Sequence, residues 1–217
     1  MRVVQAPNYV EPRDAISHDW INWLAARGHD PVLMPNRASD PARLLSSSGA
    51  EALILTGGND LVARGEDSGA VSEQRNANEA ALLAAATERG LPVLGVCRGL
   101  HVVNAFCGGG VEPDIGGGPV EHVATTHPLR LCGRLGDLLG DQVLTTNSFH
   151  GQAVRDRDLG DNLEAFAISR ADRVVEGLCH VALPVLAVQW HPERPGPSRA
   201  FDDALIDRLF REGMFWR

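Results

Sequence analysis

Residues 92–100 read Pro92-Val93-Leu94-Gly95-Val96-Cys97-Arg98-Gly99-Leu100. A short apolar run delivers a thiol, a glycine stands two positions away on either side, and an apolar helical stretch follows. This is the G-x-(nucleophile)-x-G pattern of a sharp strand-to-helix elbow, which lifts the central side chain out of a sheet. The glycines keep neighbouring side chains from colliding in so tight a bend. A thiol at a helix N-terminus is biased toward thiolate, the nucleophilic form. The competing explanation is a buried structural cysteine, the commoner fate of a free thiol.

Outward from the elbow, short apolar runs alternate with helical stretches. Residues 2–5, 31–34, 52–55 and 92–96 suit strands; residues 15–27, 41–48 and 73–89 suit helices, with Trp20 and Trp23 packing from the first. That alternation predicts parallel βαβ units in an open α/β sheet with helices on both faces. Residues 108–119 hold six glycines and two prolines and read as a loop beside the elbow helix. Runs at 122–131, 143–146, 163–168, 174–182 and 185–190 then predict a β-rich second half, closed by a helix over 200–212. No linker or repeat divides the 217 residues, so a single domain is expected.

All 20 basic residues are Arg; the chain has no Lys, which excludes a Schiff-base lysine and a P-loop lysine. The net charge of −8 argues against nucleic acid or an anionic membrane as partner. The start is neither a signal nor a transit peptide in form, and the longest small-apolar run, residues 80–86, is too short to span a bilayer. Cys97, Cys107, Cys132 and Cys179 lack CxxC or metal-ligand spacing. A cytoplasmic protein with reduced thiols is expected. His122 and His127 have Glu121 nearby but no third ligand at metal spacing, so they are expected to be solvated or to pin a loop, with neither metal nor cofactor.

The second informative stretch is Val188-Gln189-Trp190-His191-Pro192-Glu193. Residues two apart on an extended segment point the same way, so Glu193 can lie beside His191 and fix its tautomer. Together, the elbow, this His–Glu pair, Leu55-Thr56-Gly57-Gly58-Asn59-Asp60 and Asn147-Ser148-Phe149-His150-Gly151-Gln152 resemble the class I glutamine amidotransferase-like superfamily, in the family's order. Cys97-Arg98-Gly99 is similar to its C26-type γ-glutamyl hydrolases, and Asn147 to Gln152 to the γ-glutamyl-γ-aminobutyrate hydrolases. A few N-terminal residues (Tyr9, Glu11, Arg13, Asp14, Asp19 and Trp20) resemble γ-glutamyl-CDP-amidate hydrolases.

The resemblance implies a flavodoxin-like three-layer sandwich with a mostly parallel central sheet, the whole of residues 1–217 forming one domain. It implies Cys97 as nucleophile, His191 as general base and acid and Glu193 as its orienter, with the N–H groups of Gly58 and Arg98 as oxyanion hole. Ser148, Phe149 and His150 would line the substrate pocket. His101 stands where the family usually carries a Gln that grips the glutamyl head. The implied reaction is hydrolysis of a small-molecule γ-glutamyl amide through a glutamyl thioester. A glutaminase subunit feeding ammonia to a partner synthase, and a non-catalytic binding module, are the alternatives. A homodimer is compatible with either enzyme. Arg13, Arg64 and Arg75 could form a basic rim for an anionic leaving group, or be plain surface charges.

Overall fold

The computed structural model describes residues 2–6, 9–63, 72–116, 121–140 and 143–217, with side chains described from residue 13 onward; Arg64, Gly117 and Gly118 lie outside that set. The central sheet has seven strands, here β3 (Leu53–Leu55), β4 (Val93–Val96), β5 (Val123–Leu131), β6 (Val143–Phe149), β7 (Leu163–Ser169), β8 (Val175–His180) and β9 (Val185–Val188). Their order is β3-β4-β9-β8-β7-β5-β6. The β3–β4 and β4–β9 pairings are parallel. Those from β9 through β8, β7 and β5 to β6 are antiparallel. The flavodoxin-like α/β layout is thus the expected one, in a mixed sheet. Its parallel part, β3–β4–β9, ends in the elbow and the His–Glu stretch, and the β-rich second half supplies the antiparallel part.

Strands covered on both faces read as unbroken apolar runs. In β4, Leu94 and Val96 enter one core cluster and Val93 the other; β9 divides likewise, Leu186 and Val188 against Val185 and Ala187. The first cluster packs against α1 (His18–Ala25) and α6 (Arg199–Glu212) through Trp20, Trp23, Leu205 and Leu209. The second packs against α2 (Pro41–Ser47), α3 (Glu73–Glu88) and α4 (Arg98–Phe106) through Leu45, Leu82, Leu83, Leu100 and Val103. A short helix α5 (Gly133–Leu139) follows β5. No described helix is long and apolar enough to cross a membrane.

Two expected parallel strands are placed differently. β1 (Arg2–Ala6) pairs antiparallel with β2 (Tyr9–Arg13) in a separate two-stranded sheet. Closing so short a loop costs little chain entropy compared with reaching the main sheet. Residues 31–34 carry no strand pairing; Pro31 and Pro35 bracket the run and cannot donate to a ladder.

Asp202 shows how α6 is fastened. Its carboxylate accepts hydrogen bonds from Trp190 Nε1 and Ser198 Oγ, both at 2.8 Å, beneath the strand that leads to His191. Burial pushes its pKa up to about 6, and the two hydrogen bonds offset only part of that. A folded-state value above the unfolded one favours the protonated form. The group's contribution to stability is therefore full below about pH 4 and is lost as pH rises through about 6. Asp202→Asn should melt like the parent near pH 4 and be stabler above pH 7, by on the order of 2 kcal/mol. Parallel melting curves across that range would contradict this.

Candidate active site

Cys97 terminates β4 with φ 53° and ψ −105°, a conformation costly for a residue with a Cβ. Its N–H donates to the Val188 carbonyl at 2.8 Å, and its carbonyl accepts from Leu100 at 3.0 Å, so the bend is pinned from both sides. Gly99 is required because a Cβ there would collide with the Leu55 carbonyl. The thiol is buried, which pushes its pKa up. The His191 imidazole reverses that, with smaller help from His150 and the Arg98 N–H, and the net shift is downward.

His191 follows β9. Its Nδ1 lies 2.7 Å from Glu193 Oε1, which assigns the Nδ1 proton to that bond and leaves Nε2 for the thiol. Burial lowers the imidazole pKa, but Cys97 and Glu193 together raise it to about 9. Gly57 reports how closely the groups converge. A Cβ placed there would lie 2.8 Å from His191 Cε1, 3.7 Å from His191 Nε2 and 3.5 Å from Cys97 Cβ. Only a glycine leaves room for the ring.

The Gly57–Gly58 turn is tied from behind. Arg75 Nη2 donates to the carbonyls of Thr56 (3.0 Å) and Gly57 (3.1 Å), and Nη1 to Asn59 Oδ1 (3.0 Å). In a trans peptide the C=O and the following N–H point oppositely, so the Gly58 N–H is directed away from Arg75. Arg75 Nε also donates to Glu79 at 2.8 Å, and the other Glu79 oxygen pairs with Arg98, whose guanidinium reaches Asn76 as well. Arg98 is 1% exposed. Its side chain is committed to α3, and only its backbone N–H faces the thiol.

Residues 4–193 match the family model of Peptidase C26. The chain belongs to that family. A Mycobacterium tuberculosis protein provisionally named as a glutamine amidotransferase is 33% identical over 90% of this chain and 68% of its own. The carbamoyl phosphate synthase small chain of Symbiobacterium thermophilum is 32% identical over 85% of this chain, which spans 47% of that relative. Among solved structures, the glutaminase domain of Trypanosoma brucei CTPS, with bound acivicin, superposes at a TM-score of 0.65 with 13% identity, covering 92% of this chain and 88% of that one. At that identity the likeness is one of fold.

In this Peptidase C26 member the other expected site residues are placed as follows. The Phe149 and His191 rings are nearly perpendicular, with centroids 5.8 Å apart, and the Arg194 guanidinium lies over the Phe149 ring, 4.4 Å from its centroid. His101 is buried with Nε2 2.9 Å from Gln189 Oε1, and burial lowers its pKa to about 3, so it is a neutral group at ordinary pH. Ser148 Oγ donates to the His122 carbonyl at 2.9 Å. His150 donates through Nδ1 to the Gln152 carbonyl at 2.9 Å. Of the expected basic rim, Arg75 is buried under the Gly57 turn, Arg13 is exposed on β2, and Arg64 lies outside the described residues.

Asn147 is a part of the site that sequence reasoning did not single out. Its Oδ1 accepts from the His191 N–H and its Nδ2 donates to the His191 carbonyl, both at 2.9 Å. A two-pronged clamp of this kind fixes the backbone that carries the imidazole. The signal was present only as one letter of the Asn147–Gln152 stretch.

Proposed function

We propose that the chain hydrolyses a γ-glutamyl amide, with Cys97 as nucleophile, His191 as acid and base, and Glu193 as the group that orients the imidazole. The observation that carries this reading is the strained Cys97 elbow facing an imidazole whose far nitrogen is held by a carboxylate. The Cys97 thiolate adds to the γ-carbonyl, forming the C–S bond, and the carbonyl electrons collect on oxygen between the Gly58 and Arg98 N–H groups. His191 gives its proton to the departing nitrogen as the C–N bond breaks, leaving a glutamyl thioester. A water then loses its proton to His191, attacks the thioester and releases glutamate, and that proton returns to the sulfur.

Phe149 and His101 supply walls for the glutamyl head in this scheme. Ser148 and His150, whose Oγ and Nδ1 are taken up by backbone carbonyls, support the wall from behind. The leaving groups that fit are the amine of a polyamine, amino acid or aminated sugar, or a nucleotide phosphoramidate. The carbamoyl phosphate synthase small chains among the relatives favour a second reading, a glutaminase whose ammonia serves a partner synthase.

The purified chain, assayed alone for glutamate release, separates the two. On the first reading at least one γ-glutamyl amide from those amine classes is turned over with kcat/KM about tenfold or more above that for glutamine. Hydrolysis confined to glutamine, and dependent on an added synthase, would replace it with the second.

A further inference from the structure

Beside the catalytic groups lies a buried cluster that no step above uses. His122 precedes β5, His127 lies on it, His150 follows β6, and Glu176 projects from β8. One ligand atom from each of the four residues lies within 4.8 Å of every other. Glu176 is 0% exposed. Its Oε1 is 3.4 Å from His127 Nε2, 3.5 Å from His150 Nε2 and 3.7 Å from His122 Nδ1.

These separations are long for hydrogen bonds. Both Glu176 oxygens, both His127 nitrogens and His150 Nε2 are buried without a hydrogen-bond partner. Leaving so many buried polar atoms unmade is costly, and a proton bridging one His–Glu pair would still strand the rest. The edge of a tetrahedron of nitrogen and oxygen ligands around Zn²⁺ is about 3.3–3.6 Å, given metal–ligand bonds of about 2.0–2.2 Å. The spacing around Glu176 is close to that edge.

The outer groups fit the same chemistry. His122 donates through Nε2 to Asp172 Oδ2 at 2.8 Å, and His150 through Nδ1 to the Gln152 carbonyl at 2.9 Å. In each ring the proton is thereby placed on the nitrogen away from Glu176, and the lone pair is turned toward the cluster. Carboxylate and carbonyl partners of this kind orient metal-bound imidazoles and raise their basicity.

We propose that His122, His127, His150 and Glu176 bind one Zn²⁺ ion. Three neutral imidazoles and one carboxylate suit a borderline divalent cation better than Mg²⁺ or Ca²⁺, which prefer oxygen. Four protein ligands in a buried pocket make a closed, structural site rather than one with a free position for water. The ion would tie β5, β6 and β8 together just behind Asn147 and Phe149, and so hold the strand end that clamps His191. The histidine pair showed no third ligand by spacing because the other two ligands are brought in by the fold, 23 and 49 residues after His127.

The test uses the untagged full chain carrying Cys97→Ser, which removes the thiol–imidazole pair as a rival ligand, stripped with a chelator and titrated with zinc chloride. About one equivalent should bind with a rise in melting temperature, and X-ray absorption should show a first shell of nitrogen and oxygen only. His127→Ala and Glu176→Gln should abolish that binding. Asp172→Asn should fold and weaken it about 10–100-fold. Negligible uptake, a sulfur in the shell, or unchanged affinity in the variants would overturn the site. If the ligand variants do not fold, Asp172→Asn and the X-ray absorption spectrum of the Cys97→Ser chain decide.

Discussion

Replacing Cys97 with Ala should lower kcat/KM for the best γ-glutamyl amide by about three to six orders of magnitude while the chain still folds. The size of the loss follows from the placement of the thiol. Cys97 is held in a strained backbone conformation that aims its side chain, and it is the one cysteine of the four whose pKa moves down. Burial pushes Cys107 and Cys132 up, and Cys179 to about 12. A single equivalent of iodoacetamide near pH 7 should therefore label Cys97 ahead of the others, and block turnover in proportion. Alanine removes the nucleophile without adding volume, so a melting curve close to the parent's is expected. A variant with parental turnover, or labelling that falls on another cysteine first, would remove Cys97 from the mechanism.

Glu79→Gln should cost about 3–5 kcal/mol of stability, the penalty for leaving buried cations without their anion. Glu79 is the shared carboxylate between Arg75 and Arg98, and all three side chains are under a tenth exposed. For a chain of this size the melting temperature should fall by about 6–20 °C. Activity should fall further than stability alone explains, because Arg75 also holds the carbonyls of Thr56 and Gly57 behind the proposed oxyanion hole. A change of under a degree, with activity retained, would show that the guanidinium groups find compensation elsewhere.

What could be read in the sequence was local. The elbow is legible because strand, thiol, two glycines and helix sit within nine residues. His191 and Glu193 are legible because two-residue spacing on an extended segment puts them side by side, and the structure places Nδ1 2.7 Å from the carboxylate. Partners distant in the chain were hidden. Arg75 and Arg98 looked like a surface charge and a feature of the elbow, yet both turn inward to a glutamate four residues from one and nineteen from the other. Glu176 sits in the apolar run Val174-Val175-Glu176-Gly177-Leu178, and a charge at the centre of such a strand was the available hint of a buried polar cluster. The placement of β1 and the lack of pairing over residues 31–34 were equally hidden, since alternation alone does not say which edge a strand joins.

The Asn147 clamp joins strands that are far apart in sheet order. His191 extends from β9 and Asn147 belongs to β6, with β8, β7 and β5 between them. The outer ribbon must therefore curl back over the end of the parallel portion. The Cys97 sulfur and the His191 imidazole are consequently mounted on separate supports, the one on a rigid central strand and the other steadied by the peripheral β5–β6 pair. Remodelling that pair would shift the imidazole while the sulfur stayed where it was.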